Sequence, residues 1–214
     1  MGLSVKLLGH ASFQITADGK IIYIDPYQGT YEDKADLILV THSHHDHCDV
    51  AKISAVRMDE TVIIAPADCA PRIGGEVKSL KPGDKLHVGS VTVDAVPAYN
   101  YKRFREPGVP FHPKGSGVGY LIMVNGKTIY HAGDTDFIPE MRELREIHLA
   151  LLPCGGKYTM DNPEAVEAAL AINPKIMIPM HRLDTDLKKL KEQVENLSAT
   201  EVLLLTPGQE HELE

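Results

Sequence analysis

The chain has 214 residues and carries 22 Lys and Arg against 30 Asp and Glu, a net charge of −8. This length predicts a single domain spanning residues 1–214, and a hydrophobic fraction of 43% is enough to bury a sizeable core. The acidic balance argues against non-specific binding to nucleic acid or to a membrane surface, because no broad basic field is available.

The first half of the chain alternates short apolar runs with turn signals. Asp18-Gly19 is a strong hairpin signal, and the continuous apolar run Asp36–Val40 is typical of a strand buried on both faces. Strands are predicted at Val5–Leu8, Ser12–Ile15, Ile21–Ile24, Asp36–Val40, Val62–Ala65, Lys85–Val88 and Val91–Val96, and a helix at 49–58.

The second half repeats this order of hairpin, strand, helix and strand. Lys20–Asp25 aligns with Lys127–Asp134, and Asp36–His42 aligns with His148–Cys154. Strands are predicted at Val118–Val124, Thr128–His131, His148–Cys154, Lys175–His181 and Glu201–Leu205, with helices at Asn162–Ala171, capped by Asn162, and Asp184–Leu197. Two such halves, about 1–100 and 115–214, predict an α/β fold in which two sheets stack between helices as a four-layer αββα sandwich.

The cysteines and the N-terminal residues indicate the cellular compartment in which the protein is expected. The three cysteines form neither an even framework nor a paired motif, which predicts reduced thiols in a cytoplasmic protein. Residues 1–14 contain Lys6 and His10 and no cleavage pattern, so no signal peptide is expected. No uncharged run approaches about 18 residues, so no membrane span is expected either.

A histidine cluster follows the predicted strand Asp36–Val40. Four of the 11 histidines fall within His42–His47. A His-x-His pair on extended backbone points both imidazoles to one face, and a turn then lets Asp46 and His47 project from the start of a helix. Imidazole and carboxylate ligands suit Zn²⁺, Fe, Mn²⁺ or Co²⁺ and leave positions open for water, which is typical of a catalytic metal site. His45 is either a bystander or a supporting group.

Two later segments complete the pattern, since Gly133-Asp134-Thr135 and Pro179-Met180-His181 also sit at predicted strand ends. With the histidine cluster, they resemble the ligand motifs of the metallo-β-lactamase superfamily. Leu8–Ser12 and Ile24–Pro26 resemble the branch that contains ascorbate-6-phosphate lactonase and N-acyl-phosphatidylethanolamine phospholipase D. The resemblance implies two divalent ions, Zn²⁺ in first place and Mn²⁺ or Fe as alternatives. It places His42 and His44 on the first ion, Asp46, His47 and His181 on the second, and Asp134 between them.

The sequence departs from the superfamily at one ligand. A third histidine is expected after the strand Val91–Val96, but Asn100 stands there. We predict that His112 fills this position by loop folding; Asn100 as a weak oxygen ligand and an incomplete first site are the alternatives. Asp25 is predicted to orient a ligand histidine, or else only to form a turn with Pro26, and His10 either to enter the site or to cap the sheet edge.

The resemblance implies a metal-dependent hydrolase in which a metal-activated hydroxide attacks a small ester, lactone or phosphodiester, with Asp46 as proton acceptor. The alternatives are phosphodiesterase or nuclease-type activity, and a metal-binding module without turnover. The expected partner is a small molecule rather than nucleic acid. If Lys114 and the basic segment Tyr101–Arg105 line the cleft, an anionic substrate is favoured; the alternative is that they are solvated surface charges.

Overall fold

Two tight turns build a hairpin into each half of the molecule. In the computed structural model, which describes residues 2–214, φ is 50° at Asp18 and 79° at Gly19, and 51° at Asn125 and 70° at Gly126. Positive φ at both central residues matches the twist of the flanking strands, which is why these dipeptides favour hairpins. The turns join Ser12–Ala17 to Lys20–Ile24 and Gly117–Val124 to Lys127–His131 as antiparallel pairs.

Strands and helices alternate along the chain. The strands are β1 (Leu3–Gly9), β2 (Ser12–Ala17), β3 (Lys20–Ile24), β4 (Leu37–Leu39), β5 (Val62–Ala65), β6 (Lys78–Ser79), β7 (Lys85–Val88), β8 (Val91–Ala98), β9 (Phe104–Glu106), β10 (Val109–Pro110), β11 (Gly117–Val124), β12 (Lys127–His131), β13 (Leu149–Pro153), β14 (Ile176–Met180), β15 (Glu201–Val202) and β16 (Glu210–Glu212). The helices are α1 (Val50–Val56), α2 (Ala70–Ile73), α3 (Asn162–Ile172) and α4 (Leu187–Leu197), with a 3₁₀ helix at Pro139–Glu143.

The strands form two seven-stranded sheets with matching topology. The first sheet has the order β16-β1-β2-β3-β4-β5-β6, and the second has the order β15-β14-β13-β12-β11-β8-β7. In the first sheet β3, β4 and β5 are parallel, and in the second β12, β13 and β14 are parallel. The carboxyl ends of each parallel set therefore meet at one edge of its sheet, where open α/β folds carry their chemistry.

The sheets pack face to face with helices outside, because side chains alternate along each strand. Leu37 and Leu39 of β4 join the large apolar cluster that also holds Tyr120 of the second sheet. Ile38 points the other way, into a smaller cluster with Ile53 of α1. Helices α3 and α4 contact β13 and β15 of the second sheet. The predicted four-layer αββα sandwich is confirmed.

Several predicted boundaries were wrong near helices and at the last strand. The N-cap of α3 is Asp161, whose carboxylate accepts a hydrogen bond from the backbone N of Glu164, and Asn162 is the first helical residue. Helix α4 begins at Leu187, after its cap Asp186, because Asp186 accepts from the backbone N of Lys189. The last predicted strand shortens to β15.

Cys48, Cys69 and Cys154 are buried free thiols. Within residues 2–214, no helix is both long and apolar enough to cross a bilayer.

Candidate metal centre

The ends of four strands deliver the candidate residues to one place. Asp25 follows β3, His42 follows β4 by three residues, Asp134 follows β12 by three residues, and His181 follows β14 directly. A hydrogen bond of 2.9 Å from the backbone N of Val118 to the carbonyl of Thr41 ties the two sheets together beside these ends. The polar segments predicted at separate strand ends therefore line a single cleft between the sheets.

The turn before Asp134 requires glycine. Gly133 has φ of 64°, and a Cβ at this position would lie 2.7 Å from the carbonyl oxygen of Val118. Any larger residue would be strained by its backbone and would collide with β11. His131, which is buried, accepts a hydrogen bond from the Gly133 backbone N at 3.2 Å and so fixes this turn.

Three imidazoles form the first group of donors, which we call the three-histidine cluster: His42, His44 and His112. His44 Nδ1 lies 3.1 Å from His42 Nε2 and 3.1 Å from His112 Nε2. His42 and His112 are buried, and His44 is partly exposed. The structure therefore brings His112, and not Asn100, to the position where the sequence lacks the expected histidine.

Asn100 holds His112 instead. Its Oδ1 accepts hydrogen bonds from both the backbone N of His112 (3.0 Å) and His112 Nδ1 (2.7 Å). Its Nδ2 donates to Asp136 Oδ1 at 2.9 Å and to the carbonyl of Tyr158 at 3.1 Å. With its oxygen already used twice, Asn100 is a positioning residue, and the alternative in which it replaces the histidine has no support in this geometry.

The second group of donors, the carboxylate cluster, consists of His10, Asp46, His47 and His181. Asp46 Oδ2 lies 3.1 Å from His10 Nε2, 3.9 Å from His181 Nε2 and 4.0 Å from His47 Nε2. His10 has φ of 53° and follows an irregularity in the pairing of β1 with β2, which turns its side chain toward the cleft. His10 therefore enters the site rather than capping the sheet edge.

Asp134 stands between the two clusters. Its Oδ1 is 3.4 Å from His47 Nε2, and its Oδ2 is 3.1 Å from His181 Nε2 and 3.4 Å from His112 Nε2. Because Oδ1 faces the carboxylate cluster and Oδ2 lies near one member of each cluster, Asp134 has the placement expected of a bridging carboxylate.

Asp25 lies behind the cleft and is fully buried. Its carboxylate accepts from Thr41 N, Thr41 Oγ1 and His47 Nδ1, each at 2.7 Å. The predicted role of Asp25 in orienting a histidine matches this geometry, and it leaves His47 Nε2 aimed at Asp134.

The orientation of the nitrogen and oxygen atoms in the cleft fits divalent metal ions. His42 and His112 each place Nδ1 against an oxygen, of Thr41 and Asn100 respectively, so Nε2 of each neutral ring presents a lone pair to the cleft. Asp25 turns Nε2 of His47 toward the cleft in the same way. Nε2 of His42 and Nε2 of His112 both face Nδ1 of His44 at 3.1 Å, and that nitrogen has at most one proton to share between them. The nitrogens around a tetrahedral Zn²⁺ are about 3.4 Å apart, close to this spacing. Buried His47 Nε2 and Asp134 Oδ1 also have no hydrogen-bond partner in the described part of the chain. A cation would satisfy all of these atoms.

The two clusters differ in charge. Burial lowers the pKa of His112 to about 4, although the charge of Asp134 opposes it. Burial also lowers the pKa of His42 and of His44. At His47 burial acts in the same direction, but the carboxylates of Asp134 and Asp25 outweigh it and raise the pKa to about 9. The three-histidine cluster therefore offers neutral nitrogens, and the carboxylate cluster holds a proton when no metal is bound.

Most of the basic residues predicted near the cleft are elsewhere. Lys114, a substrate candidate in the sequence, pairs with Glu140 at 2.9 Å on the surface and lines neither cavity of the site. Lys102 pairs with Glu164 at 2.7 Å and Arg103 with Asp136 at 2.7 Å. Lys114 therefore matches the alternative of a solvated surface charge, because the loop turns its side chain outward.

Asp136 is a residue that the sequence analysis missed. It is fully buried and accepts from the backbone N of Tyr101 (2.8 Å) and Lys102 (2.7 Å), in addition to Asn100. It therefore shapes the loop that carries Asn100. The available signal was the second aspartate in Asp134-Thr135-Asp136, in the loop that follows β12.

Two cavities open onto the donors. One of about 260 Å³ is lined by the three-histidine cluster and by apolar residues that include Val109, Phe111 and Val118. The other, of about 370 Å³, is lined by Asp46, His181, His45 and Tyr158. His45 is exposed and stands at the rim of this second cavity.

Comparisons with known proteins agree with this geometry. The profile of the Beta-lactamase superfamily domain matches residues 4–181. A UPF0173 metal-dependent hydrolase from Pelotomaculum thermopropionicum is 34% identical in an alignment that covers 99% of this chain and 100% of the relative. The chain belongs to the UPF0173 family of metal-dependent hydrolases within the β-lactamase superfamily. As a member of this family it is a metal-dependent hydrolase.

Solved structures extend the agreement to the fold. A crystal structure from Parabacteroides distasonis superposes with a TM-score of 0.87 at 36% identity and covers 95% of this chain and 94% of that one. Igni18, a metallo hydrolase from Ignicoccus hospitalis, superposes with a TM-score of 0.83 at 27% identity and covers 100% and 99% of the two chains. This UPF0173 member thus has the fold of a metallo-hydrolase along its whole described length.

Proposed function

We propose that the chain hydrolyses a small ester, lactone or phosphodiester in this cleft, with two divalent ions bound and Zn²⁺ as the first choice. The observation that carries the proposal is the pair of adjoining donor clusters with Asp134 between them, because two-metal hydrolytic sites use such a shared carboxylate. His42, His44 and His112 would hold one ion, and Asp46, His47 and His181 the other, with Asp134 common to both.

When bound, the ions would make a water acidic enough to act as the nucleophile and would polarise the oxygen of the attacked group. The side chains of the protein orient the ligands and move the proton. Asp25 and Asn100 keep His47 and His112 in the tautomer that presents Nε2. The Asp46 carboxylate accepts the proton of the attacking water, and the hydrogen bond from His10 to its Oδ2 at 3.1 Å orients it in the cleft. Asp46 then returns the proton to the leaving oxygen.

Asp46 suits this task because it is both charged and accessible. Its side chain is 38% exposed, compared with 3% for Asp134. Burial alone would raise the pKa of Asp46, but the hydrogen bond from His10 and the charge of His47 bring it below the usual range. The carboxylate is thus ionised at neutral pH and faces the cavity of about 370 Å³.

The substrate in this proposal is a small molecule. Cavities of about 260 and 370 Å³ suit a compact ester or lactone, and the net charge of −8 disfavours a nucleic-acid chain. The segments that resemble the ascorbate-6-phosphate lactonase branch, Leu8–Ser12 and Ile24–Pro26, supply His10 and Asp25 to the site. This supports lactones as the first substrates to test. The three free thiols support a cytoplasmic location.

The test combines metal analysis with a substrate panel. The purified protein is assayed for bound Zn, Mn and Fe and for hydrolysis of aryl esters, lactones, phosphodiesters and RNA, beside the variant His42→Ala. We expect about two ions per chain, turnover of an ester, a lactone or a small phosphodiester, and loss of both turnover and metal in the variant. Stoichiometric metal without any hydrolysis would favour a binding module without turnover, and cleavage of RNA alone would favour a nuclease.

A further inference from the structure

Arg105 is the basic residue of the loop before His112 that faces the site. It lies on β9, which pairs with β10 in a short two-stranded ribbon beside the cleft. Its side chain is exposed and lines both cavities. The cavities share His44, Phe111, His112 and Asp134 as well, so Arg105 stands where they meet, above the donor atoms.

The other cations of this region are neutralised by the protein, and Arg105 is not. Lys102, Arg103 and Lys114 each have a carboxylate within 2.9 Å. Throughout residues 2–214, the Arg105 guanidinium has no carboxylate within 4.0 Å and makes no side-chain hydrogen bond. Its guanidinium only approaches the ring of Phe111, at 6.0 Å from the ring centre.

A guanidinium without a partner beside a catalytic cleft is a ready site for an oxyanion, because it presents several N–H donors in a plane. The two carboxylates nearest the reaction, Asp46 and Asp134, are committed to the donor clusters in the proposed function. They therefore leave the charge of Arg105 uncompensated. The wall of the first cavity next to it is apolar, with Val109, Pro110 and Phe111.

We propose that Arg105 binds a fixed negative charge of the substrate, a carboxylate or a phosphate-type group close to the scissile bond, with the apolar part of the substrate in the cavity of about 260 Å³. This inference rests on the proposed hydrolase function and narrows its substrates to small anionic esters or lactones. Arg105 is then a specificity-determining residue.

A matched pair of substrates tests it. Mono-4-nitrophenyl succinate carries a free carboxylate, its methyl ester is neutral, and a 4-nitrophenyl ester of 3-phosphonopropionate separates phosphate-type from carboxylate recognition. In Arg105→Gln we expect kcat/KM to fall about 10- to 100-fold for the anionic member that is recognised, mainly through KM, and to change little for the neutral ester. Arg105→Lys should retain part of the preference. The control Lys114→Gln removes a charge from the same region but outside both cavities, and should behave as wild type.

Equal losses on charged and neutral esters would overturn the proposal, since Arg105 would then act on charge that develops during the reaction. A second measurement does not depend on turnover. Calorimetric titration of the metal-loaded protein with succinate and with inorganic phosphate should show weaker binding of at least one anion to Arg105→Gln than to wild type. Unchanged binding of both anions would refute the role of Arg105. Absence of hydrolysis with intact, Arg105-dependent anion binding would refute only the hydrolase assignment.

Discussion

The three-histidine cluster and the carboxylate cluster meet at Asp134 but are built differently. The first depends on a distant loop, because the Asn100 side chain accepts two hydrogen bonds from His112 and the Asn100 backbone N donates one to the His112 carbonyl. The second is assembled from strand ends and the histidine-rich loop, with Asp25 behind His47 at 2.7 Å. Burial lowers the pKa of the histidines in the first cluster, whereas the second contains the partly exposed carboxylate of Asp46 and a histidine of raised pKa, and each cluster lines a cavity.

This difference separates two tasks. A set of neutral imidazoles with fixed tautomers holds an ion by geometry, so it should be sensitive to whatever positions His112. A set with an exposed carboxylate can also handle the proton of the reaction, so it should be sensitive to whatever aims Asp46. Changes in the two clusters should therefore have different effects on metal content and on turnover.

The largest effect should follow from removing what the clusters share. Asp134→Asn replaces a carboxylate that faces both groups, and we expect loss of both ions and a fall in turnover of at least about 1000-fold, since bound ions supply several kcal/mol of transition-state stabilisation. Metal analysis measures the loss of ions, and steady-state kinetics measures the fall in turnover. Asp59→Asn, on an exposed loop, is the control. Two retained ions in Asp134→Asn would show that the clusters are independent.

The next comparison removes one histidine from each cluster. His112→Ala should reduce the metal content from two ions to one, because the three-histidine cluster loses a donor. His10→Ala should keep two ions but reduce kcat about 10- to 100-fold, because Asp46 loses the group that orients it. If His10→Ala also loses an ion, His10 is itself a ligand and the division between the clusters must be redrawn.

A smaller effect is expected from Asn100→Ala. Without its oxygen, His112 loses both hydrogen bonds, and the affinity of the three-histidine cluster for its ion should fall about 10- to 100-fold, while the carboxylate cluster is unaffected. Competition with a graded series of chelators measures the two affinities. Asn196→Ala on the exposed face of α4 serves as the matched control. Equal weakening of both ions would indicate a general loss of structure.

The smallest effect should come from the helix that follows the histidine-rich loop. Asp49 caps α1 by accepting from the backbone N of Ala51 at 2.9 Å and of Lys52 at 3.1 Å. Asp49→Ala should lower the free energy of unfolding by about 1 kcal/mol, measured by urea denaturation, with two ions still bound. A loss of metal would mean that the cap, and not only Asp25, keeps the loop in place.

Much of this fold follows from local sequence signals. The Asp18-Gly19 and Asn125-Gly126 turns and the continuous apolar runs before His42 and His181 lie where the sequence predicts them, since these signals act within a few residues. Helix starts were harder to predict, because aspartates at 161 and 186 compete with nearby polar residues for the capping position. The grouping of His42, His44, Asp46 and His47 also follows from their spacing alone.

The rest depends on tertiary contacts that no local pattern encodes. His112 comes near His44 only because Asn100 holds the intervening loop closed, and Asp136 in turn holds Asn100. From the sequence, Lys114 and Arg105 are equally able to line the cleft or to be surface charges. In the structure, Lys114 pairs with Glu140 and Arg105 faces the cavities. Which charge is neutralised depends on residues far away in the sequence.

Anomalous diffraction from crystals of the metal-loaded protein, collected at the absorption edge of the bound metal, would show how many ions the cleft holds and which side chains surround them. We expect two peaks, one surrounded by His42, His44 and His112 and one by Asp46, His47 and His181, with Asp134 touching both. A single peak, or a first site in which Asn100 replaces His112, would contradict the two-ion site.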